Sequence, residues 1–69
     1  MKCYIEVLGK LIEITEQEYD DYVIEDVVDL GGTKKEAREV ISSHKKLAQI
    51  RGTDEMWLQP GYSVIIKGE

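Results

Sequence analysis

The chain has 69 residues, 42% apolar and 33% charged. That is the size and balance of one small folded domain spanning residues 1–69, with a thin core burying about 60% of the unfolded surface. A single cysteine, Cys3, excludes an internal disulfide, and no apolar run approaches the roughly 20 residues that cross a bilayer. The net charge of −5 and sequence pI of about 4.8 disfavour generic nucleic-acid or anionic-membrane binding by the whole molecule.

The first expected element is a β-hairpin. Cys3 to Leu8 and Leu11 to Ile14 flank Gly9-Lys10, a pair suited to a type II′ turn. In that register Val7 faces Ile12, Ile5 faces Ile14 and Glu6 faces Glu13. Cys3, Ile5, Val7, Ile12 and Ile14 then share one face, with Tyr4, Glu6, Leu8, Leu11 and Glu13 on the other.

Thr15 with Glu18 forms a capping box that opens a first helix, ended by Gly31-Gly32 after Leu30. Tyr19, Tyr22, Val23, Val27 and Leu30 supply its apolar stripe, widened by Ile24 and Val28. The β-branched residues lower helix propensity and leave a strand over Tyr22–Val28 as the alternative. Thr33 with Glu36 repeats the capping signal. Ala37, Val40, Ile41, His44, Leu47 and Ala48 form one face of a second helix reaching Arg51-Gly52, with Ser42-Ser43 as the alternative end. The apolar residues beside the two capping boxes do not superpose, which argues against an internal repeat. A second hairpin closes the chain. Met56–Gln59 and Tyr62–Lys67 flank Pro60-Gly61, a type II pair that sets Trp57 opposite Val64. The expected fold class is α+β, in the order ββααββ, with both helices on one face of a small antiparallel sheet.

Charge is segregated along this order. Residues 11–33 hold eight acids and no base, while residues 34–51 hold six bases against two acids. On a helix, Glu18, Asp21, Glu25 and Asp29 fall in one arc. Like charges three and four apart cost about 0.2–0.5 kcal/mol per pair. Either basic residues of the second helix (Lys34, Arg38, Lys45) offset them, or they serve a partner. Ile24 and Val28 sit beside this stripe, as apolar patches rimmed by charge do at interfaces, including the seam of a homodimer. The other reading of these two is burial under the second helix.

The basic helix offers the competing surface. Val27, Leu30, Gly31, Ala37 and Val40 have helix-turn-helix spacing, and Lys34, Lys35 and Arg38 at a helix start suit phosphates or base edges. With Lys46–Ile50 and Met56–Leu58 as a wing, residues 23–60 are similar to the winged helices of phage excisionases and MerR-type regulators. The resemblance implies DNA binding through Lys34, Lys35, Arg38 and Lys46. The chain departs from those families at Gly32, in place of an apolar turn residue, and at Tyr62–Ile66, where a strand rather than a helix follows the wing.

Signals for chemistry are weak. His44 has no second histidine or nearby cysteine to make a metal site, and the acids do not follow an EF-hand pattern. Cys3 lacks a paired base and reads as a small core residue. Trp57 and Tyr62 read as core closure, with a base-stacking platform as the alternative. Gly31-Gly32-Thr33-Lys34 lacks P-loop spacing. The expectation is a cytoplasmic, non-enzymatic protein without cofactor. It would be a small acidic regulator or inhibitor that docks Glu18, Asp21, Ile24, Glu25, Val28 and Asp29 on a basic protein surface, one form of which is a nucleic-acid mimic; its general character is that of the accessory proteins of phages and mobile elements. The alternatives are the winged-helix DNA regulator and a structural subunit whose strand edges pair with another chain.

Overall fold

The computed structural model describes residues 1–59 and 61–68. Its elements run β1 Lys2–Val7, β2 Lys10–Ile14, α1 Glu16–Asp29, α2 Lys34–Arg51, β3 Thr53–Gln59 and β4 Tyr62–Lys67. The four strands form one antiparallel sheet in the order β2-β1-β4-β3, so the two hairpins meet along their first and last strands. The ββααββ α+β architecture is the one expected. α1 lies over β1 and β4, and α2 over β3 and β4, with the helices packed against each other.

Local chemistry accounts for the helix limits. Both capping boxes form: Thr15 and Thr33 each accept from the backbone N–H three residues on, and Glu18 and Glu36 each accept from the cap's own N–H at 3.0 and 3.1 Å. Each box satisfies two N–H groups that the helix start leaves without intrahelical partners. α1 ends where the Gly31 and Gly32 N–H groups turn back to the Val28 and Val27 carbonyls. A Cβ on Gly32 would lie 2.6 Å from Val27 Cγ1, so only glycine lets the chain pass this close. The β-branched residues of α1 do not divert it to a strand, and α2 continues through Ser42-Ser43. Packing of one apolar face outweighs the propensity deficit.

The hairpins differ from expectation in register. The first turns at Leu8-Gly9, both with positive φ (50° and 84°), the signature of a type I′ turn. Ile5 therefore pairs with Ile12, Cys3 with Ile14 and Val7 with Lys10. The shift is by two residues, so the apolar face is unchanged. Tyr4, not Glu6, stands opposite Glu13, and the expected carboxylate clash is absent. In the second hairpin β3 begins at Thr53 and carries an irregularity between Trp57 and Gln59, which sets Trp57 opposite Ser63 rather than Val64. The expected Pro60-Gly61 turn includes a residue outside the described ones.

The core lies between sheet and helices: Cys3, Ile5, Val64 and Ile66 from the central strands meet Tyr19, Val23, Ile41 and Ala48. The opposite sheet face is open to solvent and carries Tyr4, with Lys67 Nζ 5.2 Å from its ring centre, and Trp57, which is 71% exposed. Trp57 does not close the core as expected. Tyr62 pairs with Val7 on the helix side, so the two aromatics cannot form one stacking platform. No helix among the described residues is long and apolar enough to cross a membrane.

Candidate functional site

The sheet is wider than the helical layer above it. Strand β2 lies at the sheet edge, packed chiefly on β1, and Ile12 on its helix-side face stays 52% exposed. The uncovered strip forms a groove of about 550 Å³ along one flank of α1. Ile5, Val7, Ile12 and Ile14 make its floor, with Leu58 and Tyr62 at the β3–β4 hairpin. Glu18, Tyr22, Glu25, Asp26 and Asp29 of α1 form its wall. The volume lies in the range of ligand-binding clefts.

This geometry divides the acidic stripe. Glu18, Glu25 and Asp29 line the groove, joined by Asp26, which helical spacing alone does not single out. Asp21, at the flank of the stripe, instead lines a cleft of about 570 Å³ between the helices, with Glu16, Asp20, Arg38 and Lys45. There Lys45 Nζ sits 3.4 Å from Glu16 Oε1 and 3.5 Å from Asp20 Oδ1. Cross-helix neutralisation therefore involves Lys45 and two acids outside the stripe. Among the described residues Glu18, Asp21, Glu25, Asp26 and Asp29 have no ion pair within 4.0 Å.

Ile24 does not belong to an exposed anchor. It is half-buried, lines the inter-helix cleft and packs against the core, as helix–helix contact requires. Val28 is 42% exposed but lies outside the groove lining. The apolar surface beside these carboxylates is instead Ile12 and Tyr22, 52% and 37% exposed. Only the placement of α1 beside β2 brings these residues together. Ile12 reads in sequence as an ordinary inward strand residue.

The basic residues named for DNA contact are dispersed. Lys34, Lys35, Arg38 and Lys46 are all exposed, yet Arg38 lines the inter-helix cleft facing acids of α1. The segment assigned to a wing, Met56–Leu58, is part of edge strand β3, and Lys46–Ile50 stays helical. The excisionase-like arrangement of residues 23–60 is not reproduced.

A second polar cluster lies under the α1–α2 pair. His44 Nδ1 approaches Asp54 Oδ2 to 2.6 Å, although neither atom has the geometry of an aligned hydrogen bond. Tyr19 is fully buried, and its hydroxyl has no hydrogen-bond partner among the described residues. Burial, with Asp54, Cys3 and Asp20 nearby, pushes its ionisation far above the ordinary tyrosine value. Burial also raises the Cys3 thiol, reinforced by Glu16. Both groups are held neutral, and a neutral buried thiol is a poor nucleophile. No group of three or more metal-ligating side chains occurs among the described residues.

No family model, curated protein or solved structure matches this chain.

Proposed function

We propose that this chain is a small acidic binding protein that takes a basic, partly apolar segment of a protein partner into the groove beside α1. The carrying observation is the juxtaposition of a solvent-open apolar floor with a wall of carboxylates lacking ion-pair partners among the described residues. An apolar strip supplies affinity by burial, and the carboxylates steer and orient a cation-bearing ligand. Arginine suits the site, because its stem can lie on Ile12 while its guanidinium reaches a carboxylate or the Tyr22 ring. The like-charge cost along α1 is also understandable on this reading. Glu18 repels Asp21, and Glu25 repels Asp21 and Asp29, in the free protein, and a bound cation relieves that repulsion. Binding by such a protein would mask the basic surface of its partner, as a regulator or inhibitor does.

The test is fluorescence anisotropy of a labelled peptide alternating arginine and valine, titrated at low and physiological salt. The comparison protein carries Glu18→Gln, Glu25→Gln and Asp29→Asn. Binding should weaken with salt and fall at least about tenfold in the triple variant. Equal affinity of the two proteins would remove the groove as the site. Tight binding of duplex DNA, lost on neutralising Lys34, Lys35 and Lys46, would make the basic helix the working surface.

A further inference from the structure

The groove is bounded on its outer side by a strand edge, and the two sheet edges differ. β3 is irregular between Trp57 and Gln59, carries Asp54 and Glu55, and lies beneath α2. Bulges, charges and covering helices are ways in which proteins blunt an edge against pairing. β2 also carries charge, at Lys10 and Glu13, but its register with β1 is unbroken, and among the described residues no strand or helix covers its outer side. The Leu8-Gly9 turn makes Val7 and Lys10 a doubly hydrogen-bonded pair, and in an antiparallel ladder such pairs alternate. Ile12 and Ile14 therefore direct their N–H and C=O groups toward β1. Leu11 and Glu13 direct theirs outward, where they meet no strand among the described residues.

We infer that the partner segment binds as an extended strand added antiparallel or parallel to β2, with its basic residues at every second position turned toward α1. This rests on the reading of the groove given above. A fifth strand at β2 would lie about 4.8 Å further out and extend the floor under the acidic wall. Alternate side chains of a strand stand about 6.8 Å apart. Glu25 and Asp29, four residues apart on a helix, stand about 6 Å apart along its axis. Successive inward basic residues therefore have nearly the spacing of successive carboxylates. The ligand's other residues would lie beside Leu11 and Glu13 on the open sheet face. Charge argues against a second copy of this chain as the occupant: two β2 edges paired about a two-fold axis would bring Glu13 and the acids of α1 toward their own duplicates, with Lys10 the one base that β2 sets against them.

Two changes isolate the strand contact from the groove's charge. Leu11→Pro removes one outward N–H on an edge strand, the position where proline is tolerated in sheets. Its fold is checked by circular dichroism. Independently, the arginine–valine peptide is N-methylated at alternate residues, in the two parities available, and titrated against the unaltered protein. Strand addition expects Leu11→Pro to weaken binding by about tenfold or more. It also expects one methylation parity to abolish binding while the other leaves it within about threefold. If Leu11→Pro and both methylated peptides bind as well as the parents while the acid-neutralised triple variant does not, the strand mode is overturned and the acidic groove stands. If the unmethylated peptide does not bind at all, both fall. A concentration-dependent dimer, abolished by Leu11→Pro and unable to take up peptide, would make a second copy the occupant and overturn the inference.

Discussion

Replacing Glu25 by lysine is expected to make the protein more stable and less able to bind. Glu25 has Asp21 four residues before it and Asp29 four residues after it on α1, and it has no ion-pair partner within 4.0 Å among the described residues. Each like-charge neighbour costs about 0.2–0.5 kcal/mol, and each opposite-charge neighbour contributes about as much. Reversing one charge therefore swings each pair by about 0.4–1 kcal/mol. The introduced lysine follows Asp21, which is the favourable order of acid before base, and precedes Asp29, which is the weaker one. A net gain of about 1 kcal/mol is expected, which for a domain of this size raises Tm by about 4–8 °C. Thermal unfolding followed by circular dichroism measures it. In ~1 M salt, where the screening length falls to about 3 Å, most of the gain should vanish. The same variant should bind the arginine–valine peptide about tenfold or more weakly. A lower Tm in Glu25→Lys, or a gain that salt leaves intact, would show that Glu25 already has a stabilising partner. The premise of an acidic wall free to receive a ligand would then be wrong.

Three further outcomes are expected. Tyr19→Phe removes a buried hydroxyl that has no hydrogen-bond partner among the described residues, so stability should be unchanged or raised by up to about 1 kcal/mol. A loss beyond about 1 kcal/mol in urea unfolding would mean that the hydroxyl is bonded to Asp54 or Asp20. Leu8→Asn creates the favoured Asn-Gly type I′ turn where a leucine now holds φ of 50°, and the side chain lost is 78% exposed. A left-handed leucine costs about 1–2 kcal/mol, so a gain of about 0.5–1 kcal/mol is expected from the urea midpoint. A lower midpoint would show that the leucine side chain's approach to Gly61 matters more than the turn. Alkaline pH should unfold the protein. Cys3 and Tyr19 ionise above their ordinary values of 9.0 and 10.0 when folded, so the folded state keeps protons that the unfolded chain releases. Their contribution is complete below about pH 9 and is lost as pH rises through the folded values, with a limiting slope of about 1.4 kcal/mol per pH unit for each group. Replacing Cys3 with alanine should move the onset toward about pH 10, read by denaturant melts across the alkaline range; an unmoved onset would remove the thiol from the account.

Much of the backbone plan was legible because its signals are local. Thr15 with Glu18 and Thr33 with Glu36 mark helix starts by chemistry confined to four residues, and alternation in β1 and β2 identifies the buried face whichever turn joins them. Sequence and structure part where two local signals compete. Gly9 can lead a type II′ turn or follow Leu8 in a type I′ turn, and the pairing shifted by two residues without exposing an apolar side chain. The bulged end of β3 moved Trp57 out of the expected pair, and the choice of sheet face left its ring in solvent.

The candidate site lay beyond such reasoning. Composition and order alone determined an acidic first helix, a basic second one and a sheet made of two hairpins. They could not assign Glu18, Glu25 and Asp29 to the groove and Asp21 to the neighbouring cleft, because that depends on where α2 and β2 lie around the helix. Nor could they show that Ile12 stays exposed, since inward alternation gives a strand residue's face but not whether a helix covers it. The tertiary structure decided both: two helices set over β1, β4 and β3 leave the fourth strand uncovered, and the carboxylates on that flank of α1 face an apolar floor.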